Sequence, residues 1–417
     1  MKIRTLMAAV GLAMLGSVPG FAQNAYIANY DDGTVSVIDT TKDKVIATVP
    51  VGNFPEYVAV SPDGATAYIL SDSGVTVIDT KKNNVTATIS PPPAIPPTPP
   101  LRSMCSAGDV AGCPTSLAIP LLNGSKLYVG GDPAWVIDTK TNIATPLPFA
   151  ARVLGVSPDG AKLYTTYTVN YGSYDDAYYI RIISTTNYQV LNNVLLSSNS
   201  HFSSCCDTNQ IVAKTDGTKV YISAFDDYAG TPSVFEANLT NNSATLISSE
   251  TDTGEALSLN GSTLYVGDDL GEPCAVAAFN LVANQSACVR FPPIIIYTFT
   301  EGVSLTPDGS KLYVASSDAF YFGNQTSATG GVFVINTATN SIITTILVGK
   351  NPISLGQFIQ PPQIFAGTPG KNNCYDKSIK ALTRNYSDML GAAAALGFDS
   401  VALLQNALTG FCAQPTS

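Results

Sequence analysis

The residues best suited to chemistry in this 417-residue chain are carboxylates at matching positions of a repeated strand pattern. Alignment of the predicted first strands gives these starting residues: Glu56, Ser116, Arg152, Gln210, Glu255, Glu301 and Ile353. Three carboxylates around one axis repel one another unless they are protonated, paired with Arg152 or bridged by a cation. Calcium would suit a set in which every candidate ligand is oxygen. The alternative is a Glu–Arg ion-pair network without a metal, and the sequence leaves both open.

A second set of carboxylates lies in the loops predicted between the second and third strands of the repeats. All seven loops carry aspartate: Asp31, Asp32, Asp72, Asp132, Asp175, Asp176, Asp226, Asp227, Asp268, Asp269 and Asp318. One interpretation is a surface for cations or a cationic partner, and the other is polar loop caps inherited by repeat duplication. Aromatic residues are assigned to the same loops: Tyr171, Tyr174, Tyr178, Tyr228, Tyr321 and Phe322. Acidic and aromatic loops on one face would suit a peptide or glycan.

Catalytic signatures are missing from the sequence. His201 is the single histidine and lies in a predicted loop, SNSHFSSCCD. A Ser-His-Asp triad would have to use this histidine, but the chain contains no GxSxG motif. The sequence also lacks a Walker loop, a GxGxxG fingerprint, EF-hand spacing and a CxxCH haem-attachment motif. The sequence therefore assigns no catalytic residue and favours a binding protein over an enzyme.

Eight cysteines, an even number, predict disulfide bonds in an exported chain. Cys105 and Cys113 flank one short loop, and Cys374 and Cys412 bracket the C-terminal segment, so these two pairs are the predicted bridges. The linkage is left open for four others: Cys205, Cys206, Cys274 and Cys288. Zinc is disfavoured because CxxC spacing and neighbouring histidines are both missing.

The N-terminus has the pattern of a removable signal peptide. Lys2 and Arg4 precede an apolar run at residues 6–15, and the small residues Gly20 and Ala22 precede the expected cut after Ala22. Residues 1–22 are therefore the predicted signal peptide, and the predicted location is periplasmic or secreted. No later run reaches 18 apolar residues, so no transmembrane segment is expected after cleavage.

The charge balance argues against nucleic acid as a partner. The full chain carries a net charge of −10, and removal of the two basic residues in the leader makes it about −12. Binding to a phosphate backbone needs Lys and Arg to neutralise it. Expected partners are instead a protein, peptide or glycan of the cell envelope.

Internal repeats set the fold prediction. VAVSPDGATAYIL at residues 58–70 returns as LGVSPDGAKLYTT at 154–166 and as VSLTPDGSKLYVA at 303–315. Each copy predicts two strands around a tight Asp-Gly turn. A third strand such as VTVIDT at 75–80 follows, and then a fourth. Four strands per unit, at a variable spacing of about 36 to 60 residues, are typical of a β-propeller blade.

Both ends of the chain are needed to complete the count of blades. Tyrosines mark seven second strands: Tyr26, Tyr68, Tyr128, Tyr164, Tyr221, Tyr265 and Tyr313. The first has no inner strand before it, and the inner strand at 353–359 has no strands after it. We therefore predict a seven-bladed propeller over residues 24–362, closed by one composite blade. Its channel mouth would carry the predicted binding residues Glu56, Arg152, Gln210, Glu255 and Glu301.

Residues 25–64, AYIANYDDGTVSVIDTTKDKVIATVPVGNFPEYVAVSPDG, closely resemble the YVTN β-propeller repeat. The resemblance implies an exported bacterial propeller. The family includes surface-layer proteins, uncharacterised periplasmic proteins, and relatives of lactonases and haem-d1 propellers. A binding scaffold is therefore the expected function. The alternatives are a lactonase-like hydrolase with a metal at the channel mouth and a structural protein of the cell envelope.

The C-terminal segment has a helical pattern. After a predicted linker at 363–372, apolar residues recur at helical spacing from Tyr375 to Met389. Gly397 interrupts this pattern, and Asp399 with Ser400 is a predicted cap for a second helix. The sequence thus predicts an α-helical hairpin within residues 373–413, joined by Cys374 and Cys412.

Overall fold

The computed structural model describes residues 23–92, 116–122, 124–151, 153–170, 176–198, 210–226, 231–249, 253–267, 274–290, 299–317, 331–361 and 363–413. Within these ranges the chain forms 27 strands and three helices. The predicted signal peptide lies outside the described residues.

Six antiparallel sheets of four strands follow one another along the chain, and a three-stranded sheet stands at its beginning. The three-stranded sheet, of blade 1, contains β1 (Asn24–Asn29), β2 (Thr34–Asp39) and β3 (Lys44–Pro50). Blades 2 to 4 contain β4 (Tyr57–Val60), β5 (Thr66–Ser71), β6 (Gly74–Asp79), β7 (Asn84–Ile89), β8 (Leu117–Ala118), β9 (Lys126–Val129), β10 (Trp135–Asp138), β11 (Ile143–Pro146), β12 (Gly155–Val156), β13 (Lys162–Asn170), β14 (Asp176–Ser184) and β15 (Val190–Ser198). Blades 5 to 7 contain β16 (Ile211–Ala213), β17 (Lys219–Asp226), β18 (Thr231–Asn238), β19 (Ser243–Ser248), β20 (Thr253–Leu257), β21 (Thr263–Gly267), β22 (Val276–Asn280), β23 (Gln285–Val289), β24 (Phe299–Leu305), β25 (Lys311–Ser317), β26 (Gly331–Asn336) and β27 (Ser341–Leu347). The seven sheets are the predicted seven blades.

The repeated SPDG sequence forms the tight turn between the first two strands of a blade. In blade 2 the Ser61 hydroxyl donates to Asp63 Oδ1 at 2.6 Å, and Gly64 adopts a left-handed φ of 69°. The threonine that ends the VIDT sequence donates to the carbonyl of a turn glycine, as Thr337 does to Gly309 at 2.6 Å. This contact explains why the two sequence patterns recur together.

The second-strand tyrosines pack between neighbouring blades. Tyr313 of blade 7 is fully buried in the apolar cluster of blade 1, and its hydroxyl contacts Asp43 there. Tyr26 of blade 1 reaches Asn83 of blade 2 at 3.5 Å. In these two cases the aromatic ring fills the space between blades while the hydroxyl bonds to the adjacent blade.

The predicted composite blade is confirmed. Tyr26 N donates to Phe358 O at 2.9 Å, and Ile353 N donates to Ala28 O at 3.0 Å, so residues 352–359 pair with β1. The opposite edge of the same segment pairs with β4 of blade 2, where Val58 N donates to Leu355 O at 2.9 Å. The closing segment is thus hydrogen-bonded along both edges, and neither edge is left for another chain.

The C-terminal segment forms α1 (Cys374–Tyr386), α2 (Met389–Ala395) and α3 (Val401–Ala413). The predicted first helix is divided because Ser387 has a φ of 69° and Asp388 caps α2 by accepting from Gly391 N at 2.7 Å. The predicted Cys374–Cys412 disulfide is confirmed, with 5.7 Å between the Cα atoms. In the part of the chain that the structure describes, no helix has the length and apolarity needed to cross a bilayer.

Candidate functional site

The propeller has two distinct faces. The loops between second and third strands share one face with the connections between blades, and we call it the aspartate face. Two contacts establish this placement: Asp72 N donates to Asn53 O at 3.3 Å, and Lys350 N donates to Asp32 Oδ2 at 2.8 Å. The SPDG-type turns lie at the other face, the DG-turn face.

The aspartates of the aspartate face fall into two groups. Asp31, Asp32, Asp72 and Asp132 are exposed. Asp32 Oδ2 accepts a hydrogen bond from Lys350 N, which lies in the connection that leads into the closing segment. Asp32 therefore also has a structural role. Asp176 and Asp226 occupy ends of β14 and β17. The remaining predicted members lie outside the described residues: Asp175, Asp227, Asp268, Asp269 and Asp318.

A central channel runs between the two faces and contains a cavity of about 200 Å³. Near the aspartate face its lining includes the polar side chains of Ser116, Gln210 and Glu255. Toward the DG-turn face the lining is mainly apolar, with Leu257 and Leu305 among the residues there, and it also includes Thr215, Ser258 and Thr306. The channel therefore has a polar mouth and an apolar floor.

The helical segment covers the DG-turn end of this channel. Leu121 of blade 3 and Leu259 of blade 6 line the cavity, and both also pack against the apolar cluster of the helical segment. Phe365, from the predicted linker, is buried in the same cluster. The helical segment thus bridges turns of blades 3 and 6 at the DG-turn end of the channel.

An ion-pair cluster fastens the helical segment to blade 5. Lys214 bonds to Asp216 at 3.0 Å and to Asp399 ahead of α3, and Asp399 N donates to Asp216 Oδ2 at 3.2 Å. Burial alone would lower the pKa of Lys214, but bonds to Asp399 and Asp216 outweigh it and raise the pKa. Burial would raise the pKa of Asp216, but Thr218 and Lys214 hold it below its usual value.

Glu56 and Glu301 flank the closing segment. Leu355 N donates to Glu56 O at 3.0 Å, and Ser354 N donates to Glu301 O at 2.9 Å. Burial, and after it the charge of Glu301, raises the pKa of Glu56. Ser317 donates to Glu301 Oε1 at 2.9 Å. The structure thus brings two of the predicted mouth carboxylates near each other.

Glu255 has a different environment from these two carboxylates. Its side chain lines the cavity, the residue is 2% exposed, and neither carboxylate oxygen has a hydrogen-bond partner. Burial raises the pKa of Glu255 to about 8, although nearby Ser223 lowers it in part. The hydroxyl and the amide of Ser223 both contribute to this lowering, although neither meets the geometry of a hydrogen bond to the carboxylate, and the amide also donates to Gln210 O at 3.3 Å.

Two predicted mouth residues connect neighbouring inner strands. Gln210 Oε1 accepts from Glu255 N at 3.0 Å, and Ser116 Oγ accepts from Leu154 N at 3.1 Å. Arg152 lies outside the described residues. The assignment of Tyr178 to a loop was wrong, because this residue is within β14 and fully buried, where it packs near Phe235.

The sequence analysis missed the residues that fasten the helical segment to blade 5. One signal was available at Lys214. Most turns of this type begin with Ser or Thr, as in SPDG and TPDG, whereas blade 5 reads KTDG. In the ordinary turn the hydroxyl bonds to the aspartate, as Thr306 does to Asp308 at 2.7 Å. Lysine at this position can reach a second, distant carboxylate.

The cysteines and metal ligands extend this description. Cys274 and Cys288, whose linkage was open, form a disulfide in blade 6. Cys105, Cys113, Cys205 and Cys206 lie outside the described residues, as does His201. Among the residues with a described placement, no group of three or more His, Cys, Asp and Glu side chains is arranged to hold a metal ion.

Comparisons with known proteins concern the fold alone. No protein-family model matches the chain, and no curated protein matches it. The structure is similar to hydrazine synthase of Kuenenia stuttgartiensis, with 21% identity, a TM-score of 0.55, and 75% of this chain and 92% of that chain covered. It is also similar to the dihydro-heme d1 dehydrogenase NirN in complex with DHE, with 14% identity, a TM-score of 0.51, and coverage of 82% and 77%. Together with the seven sheets, these likenesses establish a seven-bladed β-propeller.

Proposed function

We propose that this protein is an extracytoplasmic binding scaffold that captures a partner of the cell envelope at its aspartate face. The observation that carries the proposal is the asymmetry of the propeller. The helical segment occupies the DG-turn face, whereas Asp31, Asp72 and Asp132 are exposed at the other. An exposed acidic face favours a partner with basic or hydrogen-bonding groups, such as a protein, a peptide or a glycan.

Two further features support an exported YVTN-type protein. Residues 25–64 resemble the repeat of that family, and two disulfides suit an oxidising compartment. A predicted signal peptide at residues 1–22 agrees with this location. Fractionation of cells that express the full chain, followed by N-terminal sequencing, tests export. Protein that retains residues 1–22 in the cytoplasm would contradict it.

Binding at the aspartate face is testable with a matched pair of variants. The first carries Asp31→Asn, Asp72→Asn and Asp132→Asn. The second removes the same charge from the DG-turn face with Asp63→Asn, Asp159→Asn and Asp308→Asn. Both are used to capture components of the native envelope fraction at low and high salt, after thermal melts confirm that they fold. We expect the first to lose the salt-sensitive partner that the second retains. Equal capture by both would contradict the proposal.

A lactonase-like hydrolase is a weaker interpretation of this geometry. It would need several side chains converging on a metal at the channel mouth. Glu56 and Glu301 influence each other, but the raised pKa of Glu255 comes from burial and not from those two carboxylates. Calcium remains a proposal for the mouth, and the thermal melts described below include it.

A further inference from the structure

We propose that the channel is a separate binding site for a small organic cation, in which the Glu255 carboxylate receives a primary ammonium group and the apolar floor receives its hydrocarbon part. This site is inside the propeller and does not depend on capture of a partner at the aspartate face. Two observations carry the proposal: a buried carboxylate without a hydrogen-bond partner, and a cavity that the same residue lines.

The first observation concerns the carboxylate itself. Buried carboxylates are normally paired or fully hydrogen-bonded, because desolvation of an unpaired charge is costly. Glu255 departs from this rule, because the residue is only 2% exposed and neither carboxylate oxygen has a hydrogen-bond partner. Its position is fixed from the backbone, since Glu255 N donates to Gln210 Oε1 at 3.0 Å. An unsatisfied group held in place in this manner is suited to a ligand that supplies the missing donors.

The second observation concerns the shape and chemistry of the cavity. Its volume of about 200 Å³ exceeds the approximately 150 Å³ of an apolar cavity that accommodates benzene. The polar residues Ser116, Gln210 and Glu255 line it toward the aspartate face, and Leu257, Leu305 and Leu259 line it toward the DG-turn face. A ligand with a charge at one end and a hydrocarbon part at the other can place the charge at Glu255 and the hydrocarbon part against these leucines.

The acceptors at the mouth favour an ammonium group over a metal ion. A primary ammonium has three donors and no acceptor. Glu255 offers two free oxygens, and Gln210 Oε1 has a second lone pair beside the one used by Glu255 N. Calcium requires six to eight oxygens, and no group of three acidic or other metal-binding side chains surrounds Glu255 in the part of the chain with described placement. A monovalent organic cation matches this donor set.

The experiment measures binding of hexylammonium to the full chain by isothermal titration calorimetry at pH 9, where the Glu255 carboxyl is ionised and the ammonium group keeps its charge. Hexanol, which has the same chain but no charge, and calcium chloride are the comparison probes. Each is also tested for its effect on the melting temperature. The variant Glu255→Gln keeps the shape of the side chain and removes its charge. Asp376→Asn, at an exposed position of α1, is the matched control for net charge.

We expect hexylammonium to bind at least tenfold more tightly than hexanol, and Glu255→Gln to weaken it about tenfold to a hundredfold, as for a charge-assisted hydrogen bond. Asp376→Asn should bind like the parent protein. Equal affinity for hexanol, no binding of hexylammonium, or unchanged affinity in Glu255→Gln would overturn the proposal. A calcium-dependent rise in melting temperature that Glu255→Gln abolishes would overturn it in favour of a metal site. Capture at the aspartate face is measured separately, so either proposal can fail alone.

Discussion

The two ends of the channel differ in whether a buried ionisable side chain has a partner. At the DG-turn end Lys214 is 8% exposed and lies between Asp216 and Asp399, so its charge is neutralised by contacts at 3.0 Å or less. At the aspartate end Glu255 is even more buried, yet both of its oxygens lack partners. The same fold satisfies a buried charge at one end and leaves one unsatisfied at the other.

The difference supports the proposal that the aspartate end binds a ligand and that the DG-turn end is structural. Unsatisfied buried polar groups destabilise a protein, and they persist where function requires them. At the DG-turn end the buried charge of Lys214 is paired, and the apolar cluster of the helical segment packs against the turns there. The aspartate end combines a free buried carboxylate with exposed acidic loops. Four experiments, with two truncations and four substitutions, would break or sharpen this comparison.

The largest effect is expected from two truncations. A stop after Pro352 removes the closing segment together with the helices, and a stop after Pro361 removes only the material that covers the channel floor. The first should lose cooperative unfolding and aggregate, because β1 and β4 lose the strand between them. The second should fold and lose roughly 2–4 kcal/mol, because Leu121, Leu122 and Leu259 become exposed. Differential scanning calorimetry distinguishes them, and identical melts would contradict the account.

Glu255→Gln should change the pH dependence of stability. Burial raises the folded-state pKa of this carboxyl to about 8, above its ordinary value near 4.5. The neutral acid is therefore preferred in the folded state, and the parent protein should lose stability as the pH rises from about 4.5 to 8. Above pH 8 the variant should be more stable by on the order of 4 kcal/mol. Urea melts at pH 5, 7 and 9 measure this, and parallel curves for both proteins would argue against an unpaired carboxyl.

Lys214→Met should have a smaller and opposite effect at the DG-turn end. It leaves Asp216 without its buried partner, for an expected loss of about 2–3 kcal/mol at pH 7. The folded-state pKa of Asp216 is lowered, so its contribution is present above the unfolded pKa and is lost as the pH falls through the folded value. Urea melts at pH 7 and pH 3 test this. A difference between the proteins that is as large at pH 3 as at pH 7 would contradict it.

The smallest effects are expected at the aspartate face, where two adjacent residues form a natural control pair. Asp32→Ala removes the acceptor of the Lys350 amide and should cost about 1 kcal/mol. Asp31→Ala at the neighbouring exposed position should leave the melting temperature unchanged. Thermal melts of both variants distinguish a structural aspartate from one available to a partner. A greater loss from Asp31→Ala would reverse the assignment.

The fold could be predicted from the sequence because its information is local and repeated. A turn such as SPDG and the VIDT strand that follows contact each other within one blade, and Tyr313 marks the packing between blades. The closure followed from counting strands. The division of the first helix depends on one residue, Ser387, with a positive φ, and no periodic pattern contains this information.

The candidate site could be predicted only in part. The alignment of strand starts selected Glu255, Gln210 and Ser116 as mouth residues, and all three line the cavity. The lack of a hydrogen-bond partner for either Glu255 oxygen depends on the three-dimensional placement of the surrounding side chains, which the alignment does not contain. The attachment of the helical segment depends on Lys214 meeting Asp399 across 185 positions of sequence, a contact that no local pattern encodes.

The central claim, that Glu255 is an unpaired buried acid awaiting a cation, is tested most directly by infrared difference spectroscopy. The carbonyl band of a protonated carboxylic acid is followed in the parent protein, with Glu255→Gln as the reference. We predict that the band is present at pH 6, disappears with a midpoint near pH 8, and is lost at pH 6 when hexylammonium is added. If no such band distinguishes the parent protein from the variant at pH 6, Glu255 is already ionised and paired, and the account is contradicted.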